Sequence, residues 1–181
     1  MSKPKILLHV CCGPCALNSI QELSGDYSVT LYFYNPNIYP QEEYNKRKIQ
    51  ISRYASEKSI PLYDEDYNEK EFLNIIKGYE TDKEGGNRCD LCYHFRLVKT
   101  AKKARELKIT SFTTTLTISP HKNHERVLKA GQLAEKDCQI SYIDKNFKKK
   151  DGFKKTMIMA REAGFYIQNY CGCRFSLRHD K

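Results

Sequence analysis

Short apolar runs rich in β-branched and aromatic residues alternate with amphipathic segments along the whole chain. That alternation limits the fold more than any other feature of the sequence. Ile6–Val10 is an apolar run bounded by turn residues and is predicted as a buried strand. Gly13 and Pro14 break it, a helix from about Cys15 to Leu23 follows, and Val29–Tyr34 reads as a second strand. Further expected elements are a helix over Gln41–Ser59, a short strand Ile60–Tyr63, a helix Glu69–Lys77, and a Gly85-Gly86-Asn87 loop that delivers Cys89. Beyond them come a helix from Cys92 to Leu107 and a threonine-rich strand Ser111–Leu116. A helix capped by Ser119, with Pro120 in its first position, is expected to run to about Lys136. Strand Ile140–Ile143 and a helix from Asp151 or Gly152 to about Ala163 complete the series. Such alternation predicts one α/β domain over residues 1–181, a mostly parallel, Rossmann-like sheet flanked by helices. A chain of 181 residues can bury a sizeable core without disulfide staples.

Seven of the eight cysteines fall in three groups: Cys11, Cys12 and Cys15; Cys89 and Cys92; Cys171 and Cys173. A short spacer lets one turn present two sulfurs to the same ion, and thiolates select soft metals. One zinc needs only four ligands. Seven gathered thiols therefore point to an iron–sulfur cluster, to two metals, or to a cluster with a second redox site. In open α/β sheets ligands collect beyond the carboxyl ends of the strands. Cys11–Cys15, Asn35-Pro36-Asn37 and Thr117–His121 would share that edge, with Cys89, Cys92, Cys171 and Cys173 folded over it as a lid. Cys138 stands alone before a strand and reads as a core residue.

Ile6–Val10 is too short for a signal segment or a membrane span, so no membrane partner is expected and the expected compartment is the reducing cytoplasm. There, paired cysteines serve as ligands or redox groups more often than as disulfides. The net charge of +9 favours a polyanionic partner, or else marks a lysine-rich solvated surface. Arg47, Arg96, Lys122, Lys148, Lys149 and Lys150 are candidate phosphate contacts. Among 13 Tyr and 8 Phe, those exposed beside lysine would suit stacking of unpaired bases, with Tyr34, Tyr39 and Tyr93 as candidates.

Several motifs, taken together and in order, resemble the cobalamin-independent epoxyqueuosine reductase family. They are His9-Val10-Cys11-Cys12-Gly13-Pro14-Cys15; Tyr34-Asn35-Pro36-Asn37-Ile38 with Glu43-Tyr44 and Arg47; Arg88-Cys89-Asp90-Leu91-Cys92-Tyr93; Thr113-Thr114-Thr115-Leu116 with Ser119-Pro120; and Gln168-Asn169-Tyr170-Cys171-Gly172-Cys173. The resemblance spans nearly the whole chain. It implies removal of the epoxide oxygen from epoxyqueuosine at the wobble position of tRNA, giving queuosine. It also implies a 4Fe–4S cluster, a nearby additional iron, no cobalamin, and electrons from an external donor.

On that reading Cys11, Cys12, Cys89 and Cys92 are the expected cluster ligands. Cys15 reads equally as a ligand or as a buried helical thiol. Cys171 and Cys173 read as ligands of the second iron or as a dithiol that carries electrons. Reduction of an epoxide also needs an acid at the departing oxygen. Asp144, Tyr142 or a thiol would serve, so Cys15, Asp144, Cys171 and Cys173 are the candidate catalytic groups. His9 is expected to be a satisfied core histidine and Asp90 a solvated carboxylate. His121 and His124, with Lys122, are placed in the first turns of the Ser119 helix, where free N–H groups would attract an anion. Two other classes compete. An ATP-dependent tRNA sulfur transferase would want a phosphate loop where Pro14, which has no N–H, stands. A zinc-stapled RNA-binding module would have no catalysis.

Overall fold

The computed structural model describes residues 2–177; the basic end of the tail lies outside the described residues. Five parallel strands lie in the order β3-β2-β1-β4-β5. They are β1 (Lys5–His9), β2 (Ser28–Phe33), β3 (Leu62–Asp64), β4 (Ser111–Thr114) and β5 (Ser141–Tyr142). The helices are α1 (Gly13–Leu23), α2 (Gln41–Glu57), α3 (Glu69–Ile75), α4 (Asn87–Glu106), α5 (His124–Cys138) and α6 (Gly152–Glu162).

β1 is the middle strand and Ile6 to His9 are fully buried, as a parallel strand covered on both faces must be. Its alternating side chains feed two cores. Ile6 and Leu8 pack with Val10, Ile20, Leu31 and Ile51 on the α1–α2 side. Leu7 packs with Leu97, Ala101, Phe112 and Ala134 on the α4–α5 side. The chain winds outward from β1 to β3 and then restarts at β4 on the other side of β1. The strand order therefore reverses between β1 and β4, the place where such sheets open a crevice for ligands.

Two of the boundaries that differ from the sequence expectation reposition the site. Cys89 and Cys92 belong to the first two turns of α4 rather than to a loop and a later helix start. The helix expected from Ser119 begins at His124. Thr115–Ile118 form a 3-10 turn after Thr114, whose hydroxyl accepts from Leu116 N. Leu116 and Ile118 are buried in that turn, and Asn123 caps α5 by accepting from Arg126 N. Ser119 caps no helix; its Oγ accepts from His121 N at 3.3 Å. Residues 119–122 are thus a turn at the cavity rim, not the anion-binding start of a helix.

Candidate metal centre

Cys11, Cys12 and Cys15 bring their sulfurs within 4.8 Å of one another at the crevice between β1 and β4. Cys12 precedes α1 with extended backbone, and Gly13-Pro14 begin the helix, so Cys15 rises one turn above the other two. Only glycine fits at position 13. A Cβ there would stand 2.5 Å from the Phe165 ring. Thr115, at the end of β4, ties the crevice together: its Oγ1 accepts from Cys11 N at 3.2 Å and donates to Cys11 Sγ at 3.4 Å. From the far side Gln168 Nε2 donates to Cys12 Sγ at 3.0 Å. Of the three thiols, Cys11 is the one most readily ionised. Hydrogen bonds from the neighbouring thiols hold the Cys11 pKa well below the usual thiol range, with help from Lys122 and Arg96. Burial pushes Cys12 up to about 12, and the bond to Cys11 pushes Cys15 up.

Cys89 and Cys92, three residues apart on one face of α4, line a second, small cavity of about 20 Å³ together with Cys171 and Cys173. No three of these four sulfurs come within 4.8 Å of one another, so the set is a loose cup. It is assembled by Arg47 on α2, which is only 2 % exposed. Arg47 Nε pairs with Glu43 Oε1 at 2.7 Å, while Nη1 and Nη2 donate to the carbonyls of Cys171 and Tyr170 at 3.2 and 3.3 Å. Tyr166 adds a bond to Glu43 Oε2 at 3.0 Å. Gly172, at φ +119°, takes a conformation L side chains rarely adopt and passes against the Arg47 guanidinium, turning Cys171 and Cys173 toward α4.

The sequence grouped Cys11 and Cys12 with Cys89 and Cys92. The structure gathers the thiols differently, Cys15 with Cys11 and Cys12, and Cys171 and Cys173 with Cys89 and Cys92. All eight cysteines are free thiols, and Cys138 is a buried core residue.

Cys11 and Cys15 of the first trio line a cavity of about 430 Å³, with Cys12 buried behind them. Arg96 and Cys171 line both cavities and stand between the two thiol sets. Arg96 Nη1 lies 3.8 Å from Cys92 Sγ, and its other arm bonds Asn35, whose amide donates to Val10 O at 2.9 Å. Arg47 and Arg96 are therefore buried members of the wall, not contacts on the outer basic surface. Lys122 also lines the large cavity. Burial alone would lower its pKa, but Cys171, Cys11 and Tyr93 outweigh it and hold the ammonium charged above the usual lysine range.

The other expected site residues are placed as follows. Asp144 lies outside the cavity lining and pairs with His124 Nε2 at 3.2 Å. Tyr142 is buried against Gly131. Neither faces the thiols. Lys148 is half-buried, with Nζ donating to Lys122 O, while Lys149 and Lys150 are exposed. Tyr34 and Tyr93 are buried, and Tyr39 lies under Arg174. The tyrosine that does line the large cavity is Tyr170, beside Gln168 and Asn169. Asp90 ion-pairs with Arg126 at 3.5 Å instead of standing free. Sequence reasoning missed the roles of Thr115, Gln168 and Tyr170; each stood in a quoted motif, but only the tertiary contacts give it a partner.

His9 is fully buried, with Nδ1 2.9 Å from Thr114 Oγ1 and Nε2 3.1 Å from Tyr34 O. A carbonyl only accepts, so Nε2 carries the proton and Nδ1 accepts from Thr114. Burial, reinforced by Arg96, lowers its pKa from 6.5 to about 3. Between those values the unfolded chain binds the extra proton, so His9 costs stability as pH falls from 6.5 to about 3. The loss amounts to about 5 kcal/mol in full. His9→Gln should show a flatter fall of the urea midpoint over that window; parallel pH profiles for parent and variant would contradict this.

The family model described as epoxyqueuosine reductase QueH matches residues 6–179. The chain belongs to that family. Curated relatives named epoxyqueuosine reductase QueH include those of Streptococcus pyogenes serotype M1 (36 % identical, 97 % of this chain, 71 % of the relative) and Acinetobacter baylyi (39 %, 96 % and 81 %). The Thermotoga maritima relative is 36 % identical over 95 % of this chain and 90 % of its own length. Among solved structures the fold resembles the U34-tRNA thiolase NcsA of Methanococcus maripaludis with its [4Fe-4S] cluster. That match has a TM-score of 0.60 at 14 % identity, over 98 % of this chain and 63 % of that one. It also resembles a predicted tRNA methyltransferase subunit of Methanocaldococcus jannaschii, with a TM-score of 0.55 at 14 % identity, over 87 % and 75 %. These two likenesses concern the fold alone.

Proposed function

We propose that the Cys11–Cys12–Cys15 trio holds a 4Fe–4S cluster, that Cys89, Cys92, Cys171 and Cys173 hold an additional iron, and that epoxyqueuosine enters the cavity both sets border. The chain is an oxidoreductase of its family: it reduces epoxyqueuosine to queuosine in tRNA queuosine biosynthesis. The observation that carries the cofactor reading is the trio itself, two buried sulfurs and one half-buried within 4.8 Å, hydrogen-bonded by Thr115 and Gln168 and faced by Lys122. Three thiolates suit a soft polynuclear centre and leave one of its corners without a cysteine. The four-sulfur cup offers the donor set of a single tetrahedral ion, whose binding would draw the four sulfurs together.

When bound, these groups supply single electrons from an external donor and a Lewis-acidic face for an oxygen. The chain's own residues do the rest. The cavity, of a size usual for small-molecule sites, excludes bulk water around the inserted base. Arg96 keeps positive charge between the two thiol sets. Lys122 Nζ is the charged donor facing the cavity, and it hydrogen-bonds the epoxide oxygen as negative charge develops there. Two electrons and two protons convert the epoxide to the alkene and water; Lys122 delivers the first proton and solvent the second. The scheme uses no cobalamin, and it has the chain meet its tRNA in the cytoplasm.

Anaerobic incubation of metal-reconstituted protein with epoxyqueuosine tRNA and a chemical reductant tests the reading. Digested tRNA should yield a nucleoside lighter by one oxygen. Unchanged nucleoside from protein carrying both metals would overturn it.

A further inference from the structure

The mouth of the large cavity carries a feature that reduction of the inserted base does not use. Phe153 and Met157, four apart on the same face of α6, line it together with Ile167. Phe153 and Ile167 each leave 38 % of their surface exposed. Beside this apolar shelf the chain reads Lys145, Lys148, Lys149, Lys150, Lys154 and Lys155 against one acid, Asp151. Lys149, Lys150, Lys154 and Lys155 are exposed, and none has an ion-pair partner among the described residues. The first turn of α6 holds no acid.

We propose that this lip is the RNA-gripping surface: Phe153, Met157 and Ile167 stack the unpaired nucleotides flanking the base in the cavity, and the four lysines hold their phosphates. The identity of that base rests on the reductase reading; the lip itself does not. The occupant follows from the pairing of features. Exposed, unneutralised lysines next to an apolar shelf in the chain complement a partner that alternates phosphates with flat, sequence-tolerant π-faces. A duplex presents only its backbone, so the shelf discriminates loops from stems.

The test measures equilibrium binding of the metal-reconstituted protein to two probes, an unmodified anticodon stem–loop transcript and a fully paired hairpin of equal length, across a salt series. Parent protein is expected to prefer the stem–loop. Phe153→Ser and Ile167→Ser, at positions already part-exposed, should each weaken stem–loop binding about 10-fold and leave hairpin binding unchanged. Replacing Lys149, Lys150, Lys154 and Lys155 by Gln should weaken both probes and flatten the slope of log Kd against log salt by about 0.7 for each phosphate no longer held. Met157→Gln is a second shelf variant should either of the others misfold.

Shelf variants that bind the stem–loop as the parent does would overturn the proposal. So would a loss confined to electron delivery from a protein donor, which would make the lip a protein-docking face. Binding is read without turnover, so the two readings separate. Protein that grips the stem–loop through the shelf yet reduces nothing keeps this inference and loses the reductase reading. Protein that reduces tRNA with an indifferent shelf does the reverse.

Discussion

Cys12→Ser is expected to strip the polynuclear centre from the protein, with its visible absorption, iron and sulfide, and to abolish reduction of epoxyqueuosine tRNA. Cys12 is fully buried, receives the Gln168 hydrogen bond and is one of the three sulfurs that lie within 4.8 Å of one another. A hydroxyl there is harder, a weaker ligand for iron and shorter in reach. Because the trio and the four-sulfur cup are separate groups, Cys89→Ser should act differently. It is expected to lose about one iron per chain and no sulfide, while most of the cluster absorption remains. Equal loss of sulfide in the two variants would mean that one centre draws on both thiol sets, and would sink the division between them.

Lys122→Met is expected to lower kcat about 10²–10⁴-fold, the range for loss of a positioned acid or an oxyanion-facing donor. Metal content should hold, because no sulfur is removed and Thr115 and Gln168 still bond the trio. Lys122→Arg should recover part of the rate, since it restores the charge but not a proton as readily given up. Turnover within about threefold of the parent in Lys122→Met would remove Lys122 from the reaction, given the size of effect expected of such a donor. Asp144→Asn is the contrasting variant: its carboxylate pairs with His124 away from the cavity, and a small effect is expected.

Local chemistry made most of the sheet legible. Ile6–Val10 and Val29–Tyr34 differ from β1 and β2 by a residue at each end, because short β-branched runs flanked by Gly, Pro and Asp leave little freedom. The start of α5 was not legible. Ser119-Pro120 has a good local cap signature, but burial of Leu116 and Ile118 in a 3-10 turn spends those residues elsewhere, and Asn123 becomes the cap. The thiol partition divides the same way. Cys11, Cys12 and Cys15 meet through the geometry of a single helix start. Cys89 and Cys92 meet Cys171 and Cys173 through tertiary contacts: Arg47, which sequence reasoning offered as a phosphate contact, reaches the carbonyls of Tyr170 and Cys171 from α2, and Tyr39 N donates to Gly172 O at 2.7 Å. A basic residue in a charged helix gives no sign that it is an internal strut. The placement of the two candidate acids was hidden for a related reason. Tyr142 ends a strand and Asp144 follows it, as site residues do, but β5 is the edge strand and lies away from the reversal point between β1 and β4.

The order in which those thiols leave the ribosome has its own consequence. Cys11, Cys12, Cys15, Cys89 and Cys92 all emerge before the segment that Arg47 fastens across them. At ordinary elongation rates, translation from Cys92 to Cys173 lasts on the order of 4–16 s. Throughout that interval the nascent chain presents reactive sulfur without its cover. Iron delivered early would meet half a binding site, and an oxidant would meet exposed thiols. The closing segment thus sets a schedule for maturation. On the proposed assignment, loading of the four-sulfur cup waits until Cys171 and Cys173 have emerged, and a ribosome stalled before them leaves a chain prone to scavenging the wrong metal.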